Sequence, residues 1–318
     1  MPNLSHIDTI YNSLSDSKNA ALSPVAASWR RSALNYGLKP EAHKAQSLIS
    51  DHDLAWQREA NRLLLQVSAP IMDMVFNAVG HSGCLVALAT SDGLILERRA
   101  NSGDSKFFDE AQLCTGANWN EANEGTNGIG TCLAEERAIT IYRDQHFKAG
   151  NVAMSCMDAP IRNHLGRLIG VIDVSICQED HNVANTNLIS FVVKNAARDI
   201  ESQYFCQKFA RSRIVEAGNG KTSAPALIAV DDDDLILGAT FAARKLLGLT
   251  DEIVNANMPA VDFLNLNFEN TEIADAERAI LRRALARSAG NIAKAARSLG
   301  IGRATFYRRM QKAGLFKQ

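Results

Sequence analysis

At 318 residues, 46% hydrophobic and 22% charged, the chain has the composition of a soluble globular protein with room for two or three cores. Its longest apolar runs, such as Leu168 to Cys177, fall far short of the ~20 residues a bilayer span requires and contain an acid. The net charge of −1 hides a division: residues 274–318 carry eleven Lys/Arg against two acids, +9, while the remaining chain carries 23 against 33, −10. A compact basic end on an acidic body is the electrostatic footprint of a nucleic-acid reader. No charged-then-apolar secretion signal opens the sequence. The six cysteines, Cys84, Cys114, Cys132, Cys156, Cys177 and Cys206, form no C-x-x-C pair, so they read as reduced thiols with no metal site and no dithiol chemistry.

Gly83 to Ala89 and Gly93 to Glu97 read as short strands about a Ser91-Asp92-Gly93 turn. The glycine motif that follows, Gly125-Thr126-Asn127-Gly128-Ile129-Gly130-Thr131, looks built for phosphate, but its spacing excludes that. Counted from Gly128 and Gly130, the third glycine of a dinucleotide loop would fall on Leu133; in a P-loop register from Gly125 to Gly130 the lysine would fall on Thr131. The motif is expected to close over a sheet and to start a helix at Gly130 whose free N–H groups face a cavity. Ile139 to Tyr142, Met154 to Ile161 and Leu168 to Ile176 read as further strands. From Val183 to Glu216 the apolar spacing predicts one continuous helix, long enough to pack on a second copy of itself.

Gly218-Asn219-Gly220-Lys221-Thr222 ends like a nucleotide loop, but Val215 stands where its first glycine belongs, and Pro225 follows where a helix should begin. About 50 residues then separate Gly220 from Thr271. Residues from Pro225 read as strand, acidic turn at Asp231 to Asp234, strand and helix.

The basic end carries three helical stripes. Ile280, Leu281, Ala284 and Leu285 share one face, and Ala289-Gly290-Asn291 breaks it. Asn291 caps a short helix that turns Ile292, Ala295, Ala296 and Leu299 inward, and Gly300 supplies the left-handed stop. A third helix buries Phe306 and Met310 and turns Ala304 and Arg308 outward. Two short helices about a tight glycine turn, the second basic on its outer face, make a helix-turn-helix.

That segment resembles the Fis-type helix-turn-helix through Gly290-Asn291, Ala295-Ala296, Leu299-Gly300-Ile301, Arg303, Thr305 and Gly314-Leu315. The resemblance implies that Arg303 and Thr305 reach base edges or the adjoining phosphate, that Arg308 contacts phosphate, and that Asn291, Tyr307, Arg309 and Lys312 belong to the DNA-facing set. Arg309, Lys312 and Lys317 also read as solvated charge.

Upstream, Trp119, Glu121, Glu124, the glycine motif, His146-Phe147, Cys156, Ala159-Pro160-Ile161, Gly166, Gly170-Val171 and Asp173-Val174-Ser175 resemble a GAF domain of the type that opens acetoin-catabolism regulators. Ser28-Trp29-Arg30-Arg31-Ser32 with Tyr36-Gly37-Leu38 and Pro40 resembles their leader. The residues from Pro225 resemble the first half of a PAS domain. The implied fold class is α+β multidomain: leader 1–50, sensor 51–216 ending in the long helix, PAS-like segment or spacer 217–270, and all-α reader 271–318. A small-molecule effector is expected against Trp119, Glu121, Thr126, Asn127, Thr131, His146 and Cys156. Trp119 also reads as core, His146 as structural and Cys156 as inert filler.

These pieces predict a bacterial, cytoplasmic, nucleoid-associated one-component regulator. It is a homodimer binding double-stranded DNA, with RNA polymerase as a further partner and no membrane, cofactor or enzymatic activity. The full-length relatives carry an ATPase between sensor and reader, for which the spacing here leaves no room. Alternatives are a redox, haem or iron signal, an architectural DNA-bending role as in Fis, and thiol chemistry on a bound methionine sulfoxide.

Overall fold

The computed structural model describes the chain except residues 1–3, 16–22, 43–47, 80–82, 178–182, 219–223, 232–233, 257, 259, 261–262, 265–276, 279, 282–283, 286–287, 289 and 316–318. The fold is α+β. Strands β1 (Cys84–Thr90), β2 (Ile95–Ala100), β3 (Ile139–Tyr142), β4 (Ser155–Arg162) and β5 (Leu168–Ile176) form an antiparallel sheet in the order β2-β1-β5-β4-β3. The register is set where β5 lies between β1 and β4, with Asp173 facing Ala87 on one side and Asp158 on the other. Alternation along these strands separates two faces.

One face is apolar. Val86, Leu88, Met157, Ala159, Ile161, Ile172 and Val174 pack under helices α4 (Arg62–Val79) and α8 (Val183–Lys208). Helix α4 contributes Leu64, Val67, Ile71 and Val75, a stripe at three-to-four spacing. Helix α3 (Asp51–Ala60) precedes it, capped by Ser50, and buries none of its residues. The other face holds Leu85, Ala87, Ala89 and Cys156 against Trp119, Phe108 of α5 (Ser102–Glu110) and Ile129 of α7 (Gly128–Glu135). The short α6 (Glu121–Glu124) leads into α7.

The leader packs on this second side. In α1 (Leu4–Ser15) and α2 (Pro24–Arg30), Ile10 and Trp29 cluster with Phe147, and Trp29 Nε1 donates to the Gln145 carbonyl at 2.8 Å.

The helix expected through Glu216 ends at Lys208. Arg213–Glu216 is instead strand β6, pairing with β7 (Leu227–Val230), which pairs with β8 (Ile236–Ala239). Phe209 turns back onto Phe205, ring centroids 4.9 Å apart, and lies against Gly238; the β-branched Ile214 and Val215 then find strand partners in Ala229 and Ile228. At 26 residues α8 spans about 40 Å, shorter than the sequence suggested. Helices α9 (Phe241–Leu247) and α10 (Asp251–Asn255) close this second core.

At the C-terminal end, α11 (Ile292–Ser298) and α12 (Arg303–Lys312) enclose Leu281, Ala284, Ala295, Ala296, Phe306 and Met310. Gly290 and Gly300 both take positive φ, 79° and 66°, the left-handed stops that let consecutive short helices turn sharply. Lys317 and residues 219–223 and 271–276 lie outside the described residues.

Candidate sensor core and nucleic-acid interface

Helix α7 begins at Gly128, two residues earlier than expected, because Asn127 rather than a glycine makes the cap: its Oδ1 accepts from Gly130 N at 2.8 Å. The glycines serve close packing. A Cβ on Gly130 would run into the backbone of Trp119 to Glu121, and one on Gly128 would overlap Asp158 Oδ2 and Cys156 Cβ. Gly125, at φ 67°, lies under the Phe147 ring.

The seven expected ligand residues fall into separate roles. Glu121, Thr126 and Thr131 meet the leader. Ser28 Oγ donates to Glu121 Oε1 at 2.5 Å, with the Thr126 and Thr131 hydroxyls 2.6 and 3.2 Å away. Arg31 forks onto Glu121, Nε to Oε2 at 2.8 Å and Nη2 to Oε1 at 3.0 Å, and its Nη1 reaches Glu135 at 2.8 Å. Those carboxylates hold the guanidinium proton more firmly than usual. Trp119 is buried with Nε1 donating to the Gln112 carbonyl. Asn127 is the cap just described. Of the expected set, Glu121 lines an open groove of about 340 Å³ shared with Tyr36, Asp92, Asn120 and Gly130.

His146 and Cys156 belong to a different, fully buried polar group. His146 Nδ1 lies 2.9 Å from the Arg143 carbonyl and must donate to it, which leaves Nε2 to accept from Cys156 Sγ at 3.3 Å. Burial lowers the His146 pKa to about 4, so the ring is neutral, and raises the Cys156 thiol well above its usual value. Ser175, facing Cys156 across the ladder, donates to Asp173 at 2.9 Å. Asp158 faces Asp173. Desolvation raises both acids, Asp173 to about 7, and the Asp173 charge adds to the rise on Asp158. Sequence reasoning left out Asp158, Asp173 and Ser175 as ligand candidates, although an acid inside each of two apolar strands was a visible signal.

Arg162, at the end of β4, was also missed. Its Nη2 donates to the Glu136 carbonyl at the C-terminal end of α7, and its guanidinium carbon lies 4.3 Å from the Phe241 ring centroid on α9.

On the nucleic-acid side, Phe306 and Met310 turn inward, so Arg303, Ala304, Tyr307, Arg308, Arg309 and Lys312 are exposed, with Thr305 half-buried. Asn291 Oδ1 is occupied as the α11 cap, accepting from Lys294 N at 3.0 Å, and Arg309 lies 3.4 Å from Glu277. Gly302 precedes α12 with no side-chain cap.

A sheet-and-helix domain of sensor type, joined to a short-helix reader with a cationic outer face, defines the class: a DNA-binding regulator. The profile of the MimR N-terminal domain matches residues 12–202, more than half of the chain, and that of the Fis family of bacterial regulatory proteins matches residues 272–312. The chain therefore belongs to the MimR N-terminal domain family, with a Fis-family helix-turn-helix at its C-terminal end.

Among its relatives, the acetoin catabolism regulatory protein of Cupriavidus necator is 25% identical over 227 residues, 70% of this chain and 34% of that protein. The propane 2-monooxygenase operon transcriptional activator MimR of Mycolicibacterium smegmatis is 29% identical over 161 residues, 49% of this chain and 26% of the relative. The matches thus span about a third or less of those relatives' length. Among solved structures, the E. coli DhaR(N)–DhaL complex superposes with a TM-score of 0.53 at 15% identity, over 75% of this chain and 80% of that one, a likeness of fold. Among the described residues no helix is long and apolar enough to cross a membrane.

Proposed function

We propose that the protein is a transcriptional regulator that binds double-stranded DNA as a homodimer through α12 and adjusts that binding to a small molecule held in its sheet domain. The observation that carries the reading is the division of α12 into an apolar face locked by Phe306 and Met310 and an outer face of Arg303, Arg308, Arg309 and Lys312. Arginine's fork matches guanine O6 and N7, so Arg303 in the first turn reads bases while the later cations hold phosphate. Two copies would place two such helices on half-sites one DNA turn apart.

The relatives' names supply the regulatory sense: one is a catabolism regulator and another an operon activator. No ATPase takes part in this reading, because about 50 residues lie between Gly220 and Thr271, so the protein would act by promoter-proximal contact with RNA polymerase or by steric block. Regulation is a population shift whose size is limited by the ligand's differential affinity for the two states.

Selection of duplexes from a random pool at physiological salt tests this. An enriched two-fold-related sequence, lost in Arg303→Ala, is expected; a pool with no enrichment would sink the reading.

A further inference from the structure

The turn between β4 and β5 reaches beyond the sheet domain. Asn163 Oδ1 accepts from Leu165 N at 2.9 Å and from Arg167 N at 3.1 Å, which stiffens the turn, and Gly166 at φ 75° brings it round. A Cβ on Gly166 would stand 3.1 Å from Arg244 Cδ and 3.8 Å from Phe241 Cα, so a missing side chain lets the turn lie close to α9. On its other flank His164 stacks on Tyr204, ring centroids 6.3 Å apart, and meets Phe209 edge-on at 5.7 Å. A Cβ on Gly238 of β8 would reach the His164 carbonyl at 3.5 Å. Arg167 and Arg244 share the carboxylate of Asp251 in α10, at 3.8 and 2.8 Å. The turn is therefore seated between α8 and the module built on β6, β7 and β8.

Arg162, the last residue of β4, stands buried at the root of this turn. Its backbone N–H donates to Glu201 Oε1 of α8 at 2.7 Å. Its guanidinium meets three separate elements. Nη2 donates to the Glu136 carbonyl and Oε2 at 2.9 and 3.0 Å, Nη1 lies 3.4 Å from the Gly166 carbonyl, and the Phe241 ring centroid is 4.3 Å from the guanidinium carbon.

Glu136 ends α7 in a left-handed conformation, φ 49°. A carbonyl at a helix C-terminus carries partial negative charge and suits a cation. Arginine fits this place because its flat fork takes the carbonyl and the carboxylate together while its face takes an aromatic ring. The end of α7 and the placement of Phe241 thus answer to one rigid group. The same helix is held on its outer side by the leader, through Ser28 on Thr131 and Arg31 on Glu135.

We propose that Arg162 is a positioning residue that couples the end of α7 to α9, so that the three-stranded module, and the reader that follows it in the chain, take their placement from the state of the motif helix. This rests on the reading that the sheet domain adjusts DNA binding, and supplies the joint at which that adjustment leaves the domain.

The test is amide hydrogen exchange of the full chain, read in the last turn of α7 and in α9. Phe241→Leu keeps apolar bulk but removes the ring face. It speeds exchange at Cys132 to Glu135 about tenfold from another module, and Arg162→Met speeds exchange in α9 by a similar factor. In an Arg162→Met background Phe241→Leu adds nothing at α7, since the shared group is gone. Phe241→Tyr, which keeps the ring, keeps wild-type rates. The three tryptophans, Trp29, Trp56 and Trp119, all lie in the leader and sheet domain, so fluorescence melting reports whether that domain is intact. Phe241→Leu leaves it at the wild-type melting temperature, and carries the test should Arg162→Met unfold it. On DNA, Arg162→Met lowers affinity for the selected two-fold duplex about tenfold and leaves a single half-site unchanged, because a slack joint lowers the effective concentration of the second reader.

Exchange in α7 that ignores Phe241→Leu, an equal effect of Phe241→Leu with and without Arg162, or a Phe241→Tyr variant as fast as Phe241→Leu overturns the joint. Coupled exchange with unchanged affinity for the two-fold duplex, or with an equal loss on the half-site, overturns its reach to the reader. A chain that selects no duplex loses its proposed function, while the exchange rates still decide the joint.

Discussion

Ser28 and Glu121 lie 93 positions apart in the chain, and the Ser28 hydroxyl donates to Glu121 Oε1 at 2.5 Å, buried, beside the Arg31 fork. The leader helix is thereby built into the sheet domain through the same motif that looked like a ligand loop. Removing Arg31 leaves the Glu121 charge enclosed without its cation, the costly case for a buried pair. Arg31→Met should lower stability by about 3 kcal/mol in urea melts. Pairing it with Glu121→Gln should recover part of that loss, and strict additivity of the two changes would show that the pair is not coupled.

The glycines of the motif make a steric prediction. Gly128→Ala drives a methyl into Asp158 Oδ2 and Cys156 Cβ and should cost about 1–3 kcal/mol. The same change in an Asp158→Ala background should cost less, because the obstructing carboxyl is gone. Equal costs in both backgrounds, measured by thermal melting, would place the strain elsewhere.

The buried acids make a pH prediction. Asp173 is raised to about 7 and Asp158 well above its ordinary value, so in the fold both keep a proton that the unfolded chain has released. Their contribution is fully present below the unfolded value near 4 and is lost as pH rises through about 7. Asp158→Asn removes one titration and relaxes the other. Its stability relative to wild type should therefore rise between pH 4 and pH 8, by on the order of 1–3 kcal/mol. His146, lowered to about 4, has the opposite sign: its contribution is present above the ordinary imidazole range and is lost as pH falls through about 4. A difference curve between variant and wild type that is flat with pH would refute the assignment to Asp158.

At the DNA face, Arg303 and Lys312 are both exposed but lie at opposite ends of α12. Arg303→Ala should cost about 1–3 kcal/mol at the selected sequence and relax base choice there. Lys312→Ala should weaken all duplexes alike and reduce the salt slope by about one. Equal loss on selected and random DNA for the arginine change would make it a phosphate contact.

Much of this was legible in order along the chain. The strands Ile139–Tyr142 and Leu168–Ile176 have the bounds their composition suggested, and Asn291 and Gly300 punctuate the short helices as caps do. The charge division between the C-terminal residues and the rest needed only counting. Local chemistry decides such features, since a cap or a glycine stop acts on its own few neighbours.

Contacts between distant residues were not legible in the same way. Helical spacing carried the Val183 helix on to Glu216, yet strand partners at Leu227 to Val230 outbid it, because Phe209 packs back and the β-branched Ile214 and Val215 fit a ladder. Nor did any local pattern show that folding brings Ser28 and Arg31 onto Glu121, Thr126 and Thr131. The sequence by itself determined most of the elements, the caps and the cationic outer face of α12, all matters of periods and near neighbours. Tertiary structure alone decided that Asp158 faces Asp173 and that the leader clamps the glycine helix. A side chain's partner across the fold depends on register and packing, which no local pattern encodes.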